Sequence, residues 1–205
     1  MIDGIIKYNF DFQPSLPLKK SQFKKIEMLR ERLFTLKVIG VKDGIGYGNI
    51  SRRVDKNSFV ITGTQTGHLK HLNETHYAFI ENYNDKEFYL KSSGAIKPSS
   101  EALTHGTIYN LSSNIGSVIH IHSRNIWKFM MKSSHYLKTK NVEYGSMEMI
   151  EEVNRIFAHI DPLQNSKFVM AGHEDGVMFF GENIKEAELA LLKVLRQLFY
   201  YGLAK

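Results

Sequence analysis

Ser117-Val118-Ile119-His120-Ile121-His122 reads as a buried β-strand, because three β-branched apolar residues fill a short run bounded by Gly116 and Ser123. Residues two apart in a strand point to the same face, so His120 and His122 project side by side from an otherwise apolar run. That spacing lets one ion accept a nitrogen from each ring. A hydrogen-bonded pair of core histidines is the alternative that this pattern alone leaves open.

Working outward, short β-prone runs bounded by turn residues precede this strand at 48–52, 58–62, 77–82 and 88–90, and two more follow at 167–170 and 176–180. Helical spacing begins at Ser21, read as a cap, and carries Phe23, Ile26, Met28, Leu29, Leu33 and Leu36 until Gly40 and Gly44 end it. Residues 99–110 form a second helix with Ser99 or Ser100 as its cap. Residues 146–159 form a third, with Met147, Ile150, Val153, Ile156 and Phe157 on one face. A long helix over 184–201 places Ala187, Leu191, Val194, Leu195 and Leu198 together. At the start, Ile6, Tyr8, Phe10 and Phe12 alternate with polar residues, a strand inside an N-terminal extension covering 1–19. There is no repeat, low-complexity tract or linker, so one α/β domain over 1–205 with a central mixed or antiparallel sheet is expected.

Composition limits the chemistry. A chain of 205 residues with 42% hydrophobic content can bury a substantial core. It has no apolar run long enough to cross a bilayer, and its first residues include Asp3 where a signal peptide would be basic, so a soluble cytoplasmic protein is expected, with no membrane partner. Zero cysteines exclude disulfides, thiolate ligands and a cysteine nucleophile, leaving nitrogen and oxygen to hold any metal. The net charge of +6 is spread through the chain, and the dense stretch from Lys19 to Lys25 reads as a solvated helix face, so no nucleic-acid partner is expected. Among the nine histidines, His68, His71 and His76 lie in a polar stretch and read as surface or turn residues.

His173 sits in Met170-Ala171-Gly172-His173-Glu174-Asp175-Gly176, a turn between two strands whose small residues present a polar side chain, and it is the best third ligand. Three histidines without a fourth protein ligand describe a catalytic site with a position left open for water or a substrate oxygen. Three Gly/Ser/Thr-rich segments, 46–51, 62–67 and 97–101, offer the amides and hydroxyls that bind a phosphate. Glu101, behind Ser99 and Ser100, would bring a carboxylate near that anion and the metal, where its pKa could rise into the range of a general base. A first-turn glutamate stabilising its helix is the plainer alternative.

The order of these elements resembles the class II aldolase/adducin family over roughly residues 20–200. The resemblance is carried by Gly48-Asn49-Ile50-Ser51, Ile61-Thr62 with Thr66-Gly67, Leu72-Asn73-Glu74-Thr75-His76, Pro98-Ser99-Ser100-Glu101 with His105, and Val118-Ile119-His120-Ile121-His122-Ser123. It implies a three-layer α/β/α fold around a mostly antiparallel (mixed) sheet, assembled as a homotetramer with active sites at subunit borders. It implies one Zn2+ per subunit on His120, His122 and His173, and Glu101 as the carboxylate that shuttles the substrate proton. Asn49, Thr66, Gly67, Ser99 and Ser100 match the positions that hold the phosphate of a phosphorylated sugar. The activity so implied is a lyase, a zinc-dependent aldolase that reversibly cleaves a phosphorylated ketose through a metal-stabilised enediolate. An epimerase or dehydratase on the same scaffold is the alternative, as is an adducin-like binding protein; glutamate at 101 favours the aldolase, and the intact ligand set argues against the binding protein. Three departures stand out. His173 is followed by Glu174-Asp175-Gly176 rather than directly by glycine; the 62–67 segment is about two residues longer than usual; and the stretch from His122 to Tyr144 is shortened. In that last stretch the family carries a proton-donating tyrosine that serves a neighbouring subunit, and Tyr136 is its candidate here.

Overall fold

The computed structural model describes residues 5–203, with side chains for 5–202, so the first four residues of the expected N-terminal extension lie outside the described residues. Eight strands form one sheet: β1 (Asn9–Pro14), β4 (Asn49–Asp55), β5 (Ser58–Thr62), β6 (Tyr77–Asn84), β7 (Tyr89–Gly94), β8 (Ser117–His122), β9 (Lys167–Val169) and β10 (Gly176–Gly181). Their order is β1-β7-β6-β5-β4-β8-β10-β9; β1 runs parallel to β7 and the other pairs are antiparallel, so the sheet is mixed but mostly antiparallel. Two further strands, β2 (Gly40–Lys42) and β3 (Ile45–Tyr47), pair as a hairpin.

Strand alternation sorts the core onto two faces. Along β8, Val118 packs with α2 (Ala102–Leu111) and α4 (Met147–Phe157), while Ile119 and Ile121 pack with α1 (Lys20–Thr35), α3 (Arg124–Lys132) and α5 (Ile184–Leu203). Phe59 and Ile61 against Val60, and Met178 and Phe180 against Val177 and Phe179, repeat the division on β5 and β10. The result is the three-layer α/β/α arrangement. His120 and His122 share the parity of Val118 and so fall on the face of α2, whose N-terminus carries Glu101.

Several local expectations need correction. The first helix starts at Lys20 with Lys19 at the cap, where the Gln22 side chain accepts the Lys19 amide (2.8 Å), so Ser21 lies inside the helix. It ends at Thr35 through Lys37, whose φ is positive, before Gly40 enters β2. Met28 and Leu36 are about half exposed and lie outside the core. The second helix starts at Ala102 with Glu101 in the cap position, displacing Ser99 and Ser100 from that role. The hairpin turns at Asp43-Gly44, both at positive φ, a sequence suited to such a turn. That hairpin and α3, capped by the Ser123 side chain, had no counterpart in the sequence reading. Tyr8, from the segment read as an extension, donates its hydroxyl to the carbonyl of Ser99 (2.9 Å) and so ties the edge of the sheet to the turn before α2. Among the described residues no helix is long and apolar enough to cross a membrane.

Candidate active site

The site forms where the C-terminal end of β8 meets the start of β10. In the ladders His120 lies opposite Asn49 of β4 on one side and Met178 of β10 on the other, and His122 lies opposite Gly176. The turn before β10 is closed by the Gly176 amide on the His173 carbonyl (2.9 Å) and returns the His173 ring to the same point. Gly176 is required by space: a β-carbon there would lie 2.7 Å from Cδ2 of His173 and 3.2 Å from Cε1 of His120.

Nε2 of His122 is 3.0 Å from Nε2 of His120 and 3.0 Å from Nε2 of His173. A neutral imidazole nitrogen has one in-plane N–H or one lone pair, so His122 cannot make linear hydrogen bonds to two rings at once. Two nitrogens held about 2.0–2.1 Å from a tetrahedral ion would be about 3.3 Å apart, close to what is seen, so the three rings fit a shared cation. Burial, followed by the neighbouring rings of His122, His173 and His105, holds the His120 pKa well below its ordinary value. Burial, His173 and Lys42 do the same at His122. Neutral rings with available lone pairs are what metal ligation requires.

Glu101 completes this cluster. Its Oε2 lies 3.1 Å from Nε2 of His120 and accepts the Asn49 side-chain amide at 2.8 Å. The carboxylate is thus turned toward the histidines and makes no cap hydrogen bond to its own helix. Four residues on, buried His105 contacts Ser51 Oγ through Nδ1 (2.7 Å), and Ser51 Oγ also contacts the Tyr109 hydroxyl (2.7 Å). Burial pushes the His105 pKa down to about 3.

The three Gly/Ser/Thr segments come together beside the histidines. Gly63 pairs with Pro98, and the Thr64 amide bonds the Lys97 carbonyl (3.0 Å), drawing the second and third segments side by side. With residues 46–49 they line a narrow cleft of about 30 Å³ that reaches Glu101, His122 and His173; Asn49, Thr66, Gly67, Ser99 and Ser100 all belong to its walls. The cleft adjoins a chamber of about 460 Å³ between the β2–β3 hairpin and the His173 turn. Two tyrosines that sequence reasoning missed frame the chamber: Tyr47 stacks obliquely on His122 (5.1 Å between ring centres) and Tyr144 on His173 (4.6 Å). Tyr47 falls inside the 46–51 segment, but nothing in the sequence turns its ring toward the histidines, and nothing marks Tyr144 at all.

Tyr136 is elsewhere within its own chain. It donates to Gln197 of α5 and packs edge-on against Phe129 of α3 (5.8 Å). His71 pairs with Glu31, His76 accepts the Asn73 amide and His68 contacts the Gln65 carbonyl, all outside the site as their polar setting suggested.

Comparison with known families decides the lineage: the family described as Class II Aldolase and Adducin N-terminal domain matches residues 40–198. The chain belongs to the class II aldolase/adducin family. Solved structures of similar fold include an L-fuculose 1-phosphate aldolase (TM-score 0.71, 17% identity, 92% of this chain and 88% of that one). They also include YgbL from Klebsiella pneumoniae, a candidate aldolase/epimerase/decarboxylase (0.67, 16%, 89% and 90%), and a sugar-phosphate aldolase from Thermotoga maritima (0.63, 17%, 91% and 97%). Among curated proteins none matches. At these identities the class II aldolase structures establish the shared fold, and the site geometry has to carry the chemistry.

Proposed function

We propose that the protein is a zinc-dependent aldolase that reversibly cleaves a phosphorylated ketose, with one ion per subunit held by His120, His122 and His173. The observation that carries this reading is the convergence of three histidine nitrogens beside the Glu101 carboxylate, at the mouth of a cleft walled by hydroxyls and backbone amides. Zinc, when bound, would supply Lewis acidity toward the carbonyl and hydroxyl oxygens of the substrate.

The protein's own groups do the rest. Asn49, Thr66, Gly67, Ser99 and Ser100 hold the phosphate through neutral donors, which fix the three-carbon end of the substrate relative to the histidines. Glu101, kept in place by Asn49, takes the proton from the substrate hydroxyl and returns it to the carbon end as the bond breaks. The adjoining chamber receives the aldehyde portion. Tyr136 lies away from its own site and serves the site of a neighbouring subunit, within a cytoplasmic homotetramer, where in the condensation direction it is the proton donor to the aldehyde oxygen and is resupplied by the proton Glu101 takes from carbon. The β2–β3 hairpin lies directly against Gly67, whose β-position touches the Gly40 carbonyl and the Tyr47 amide, so the wall of the cleft there is bare backbone.

Product analysis over a panel of ketose phosphates with the zinc-loaded protein tests the proposal. Release of a three-carbon ketone phosphate and an aldehyde is expected. An isomeric sugar phosphate or a dehydrated product would replace the aldolase with an epimerase or a dehydratase on this scaffold.

A further inference from the structure

Arg30, in the middle of α1, is only 1% exposed, yet among the described residues no carboxylate hydrogen-bonds to its guanidinium. Its donors go to backbone carbonyls of a single loop: Nη1 to Lys70 (3.1 Å), and Nη2 to Thr66 (3.0 Å), Gly67 (3.4 Å) and Leu69. Neighbouring residues of the helix grip the following stretch. Glu27 accepts the Leu72 amide (2.7 Å) and the Tyr77 hydroxyl, and Glu31 pairs with His71 (2.9 Å).

A charge withdrawn from water is costly unless its donors are used, and an apolar side chain of similar volume would fill the same space more cheaply. What the guanidinium adds is a planar fork that reaches several carbonyls at once, which an ammonium group cannot do. The carbonyls it gathers belong to the segment whose Thr66 and Gly67 wall the cleft. In a trans peptide the C=O and N–H point in opposite directions, so drawing the Thr66 oxygen to Arg30 turns the Gly67 N–H away from it, to the side where Gly67 meets Gly46 and Tyr47. The described lining of the cleft includes no lysine or arginine, so anion binding there depends on how its neutral donors, hydroxyls and backbone amides alike, are held.

We propose that Arg30 is a positioning residue for anion binding: by gathering the carbonyls of Thr66, Gly67, Leu69 and Lys70 it fixes the loop and, with it, the direction of the Gly67 amide in the cleft wall. The affinity for the substrate phosphate then depends on a side chain that does not touch it. The inference rests on the phosphate reading of the cleft given above.

The test titrates inorganic phosphate into the purified full-length protein by calorimetry, comparing wild type, Arg30→Gln, Arg30→Lys and Val194→Ala, the last a core truncation on α5 that controls for general loosening. Arg30→Gln is expected to weaken phosphate binding about tenfold or more, and Arg30→Lys by an intermediate factor, with bound metal unchanged. Val194→Ala should lower the melting temperature and leave phosphate affinity unchanged. If Arg30→Gln does not fold, Arg30→Lys carries the same comparison. Wild-type affinity in the folded Arg30 variants, or an equal loss in Val194→Ala, would overturn the positioning role alone. No phosphate binding by the wild type would overturn the reading of the cleft and the inference with it.

Discussion

The histidine cluster and the hydroxyl-lined cleft share a wall but are held in different ways. His120 and His122 stand on β8, paired on both sides by β4 and β10, and His173 hangs from a turn stapled to β10. Their directions follow from the pleat of a buried sheet. The cleft is made largely of loops, and what fixes them comes from afar: Arg30 and Glu27 of α1 for residues 66–72, and Tyr8, just before β1, for the turn at Ser99. Sheet geometry makes the first half rigid with little help, whereas the second depends on borrowed hydrogen bonds. Substitutions in the two halves should therefore fail differently.

The largest expected effect is at the junction. Glu101→Gln keeps the shape and the contact with Asn49 but removes the proposed base, so turnover should fall by about 10²–10⁴-fold with bound metal retained, as read by steady-state kinetics beside elemental analysis. A loss of metal instead would make Glu101 a ligand first. Gly176→Ala probes the rigid half without touching a ligand. Its β-carbon would press on His173, and a competition titration with a chelator should show metal affinity reduced about 10–100-fold while phosphate affinity is kept.

The smallest effect lies away from both halves, at buried Glu152, which accepts the Lys140 amide (2.6 Å) and binds Arg155 (2.6 Å). Arg155 holds its pKa down to about 2. A carboxyl whose folded pKa is depressed adds stability above its unfolded pKa, near 4.3, and loses it as the pH falls toward 2. Glu152→Gln should cost roughly 0.5–1 kcal/mol at pH 7, a cost that shrinks as the pH falls from about 4 through 2, as measured by denaturant melts across that range.

The same division explains what the amino-acid sequence revealed. The strands over 58–62 and 117–122 are bounded as periodicity and flanking turn residues indicated, and the histidines converge because a period of two leaves them no other face. The hairpin was lost because Asp43-Gly44 reads equally as the end of a helix. Helix α3 was lost although Ser123, Ile126 and Met130 gave it a cap and a buried face. Arg30 was illegible, since a charged residue among Lys24, Lys25, Glu27 and Glu31 reads as part of a solvated face. Only the path of a loop some forty residues away puts it in the core. Tyr47 and Tyr144 likewise gain meaning only when the hairpin and the 140s strand them beside the histidines.

A metal ion shared by the three rings is what the proposed chemistry requires, and elemental analysis of the purified protein beside His120→Ala and His122→Ala tests it most directly. Near-stoichiometric zinc in the wild type, lost in both variants, is the predicted result. Wild-type protein that stays metal-free after incubation with zinc, or variants that keep their zinc, would contradict it.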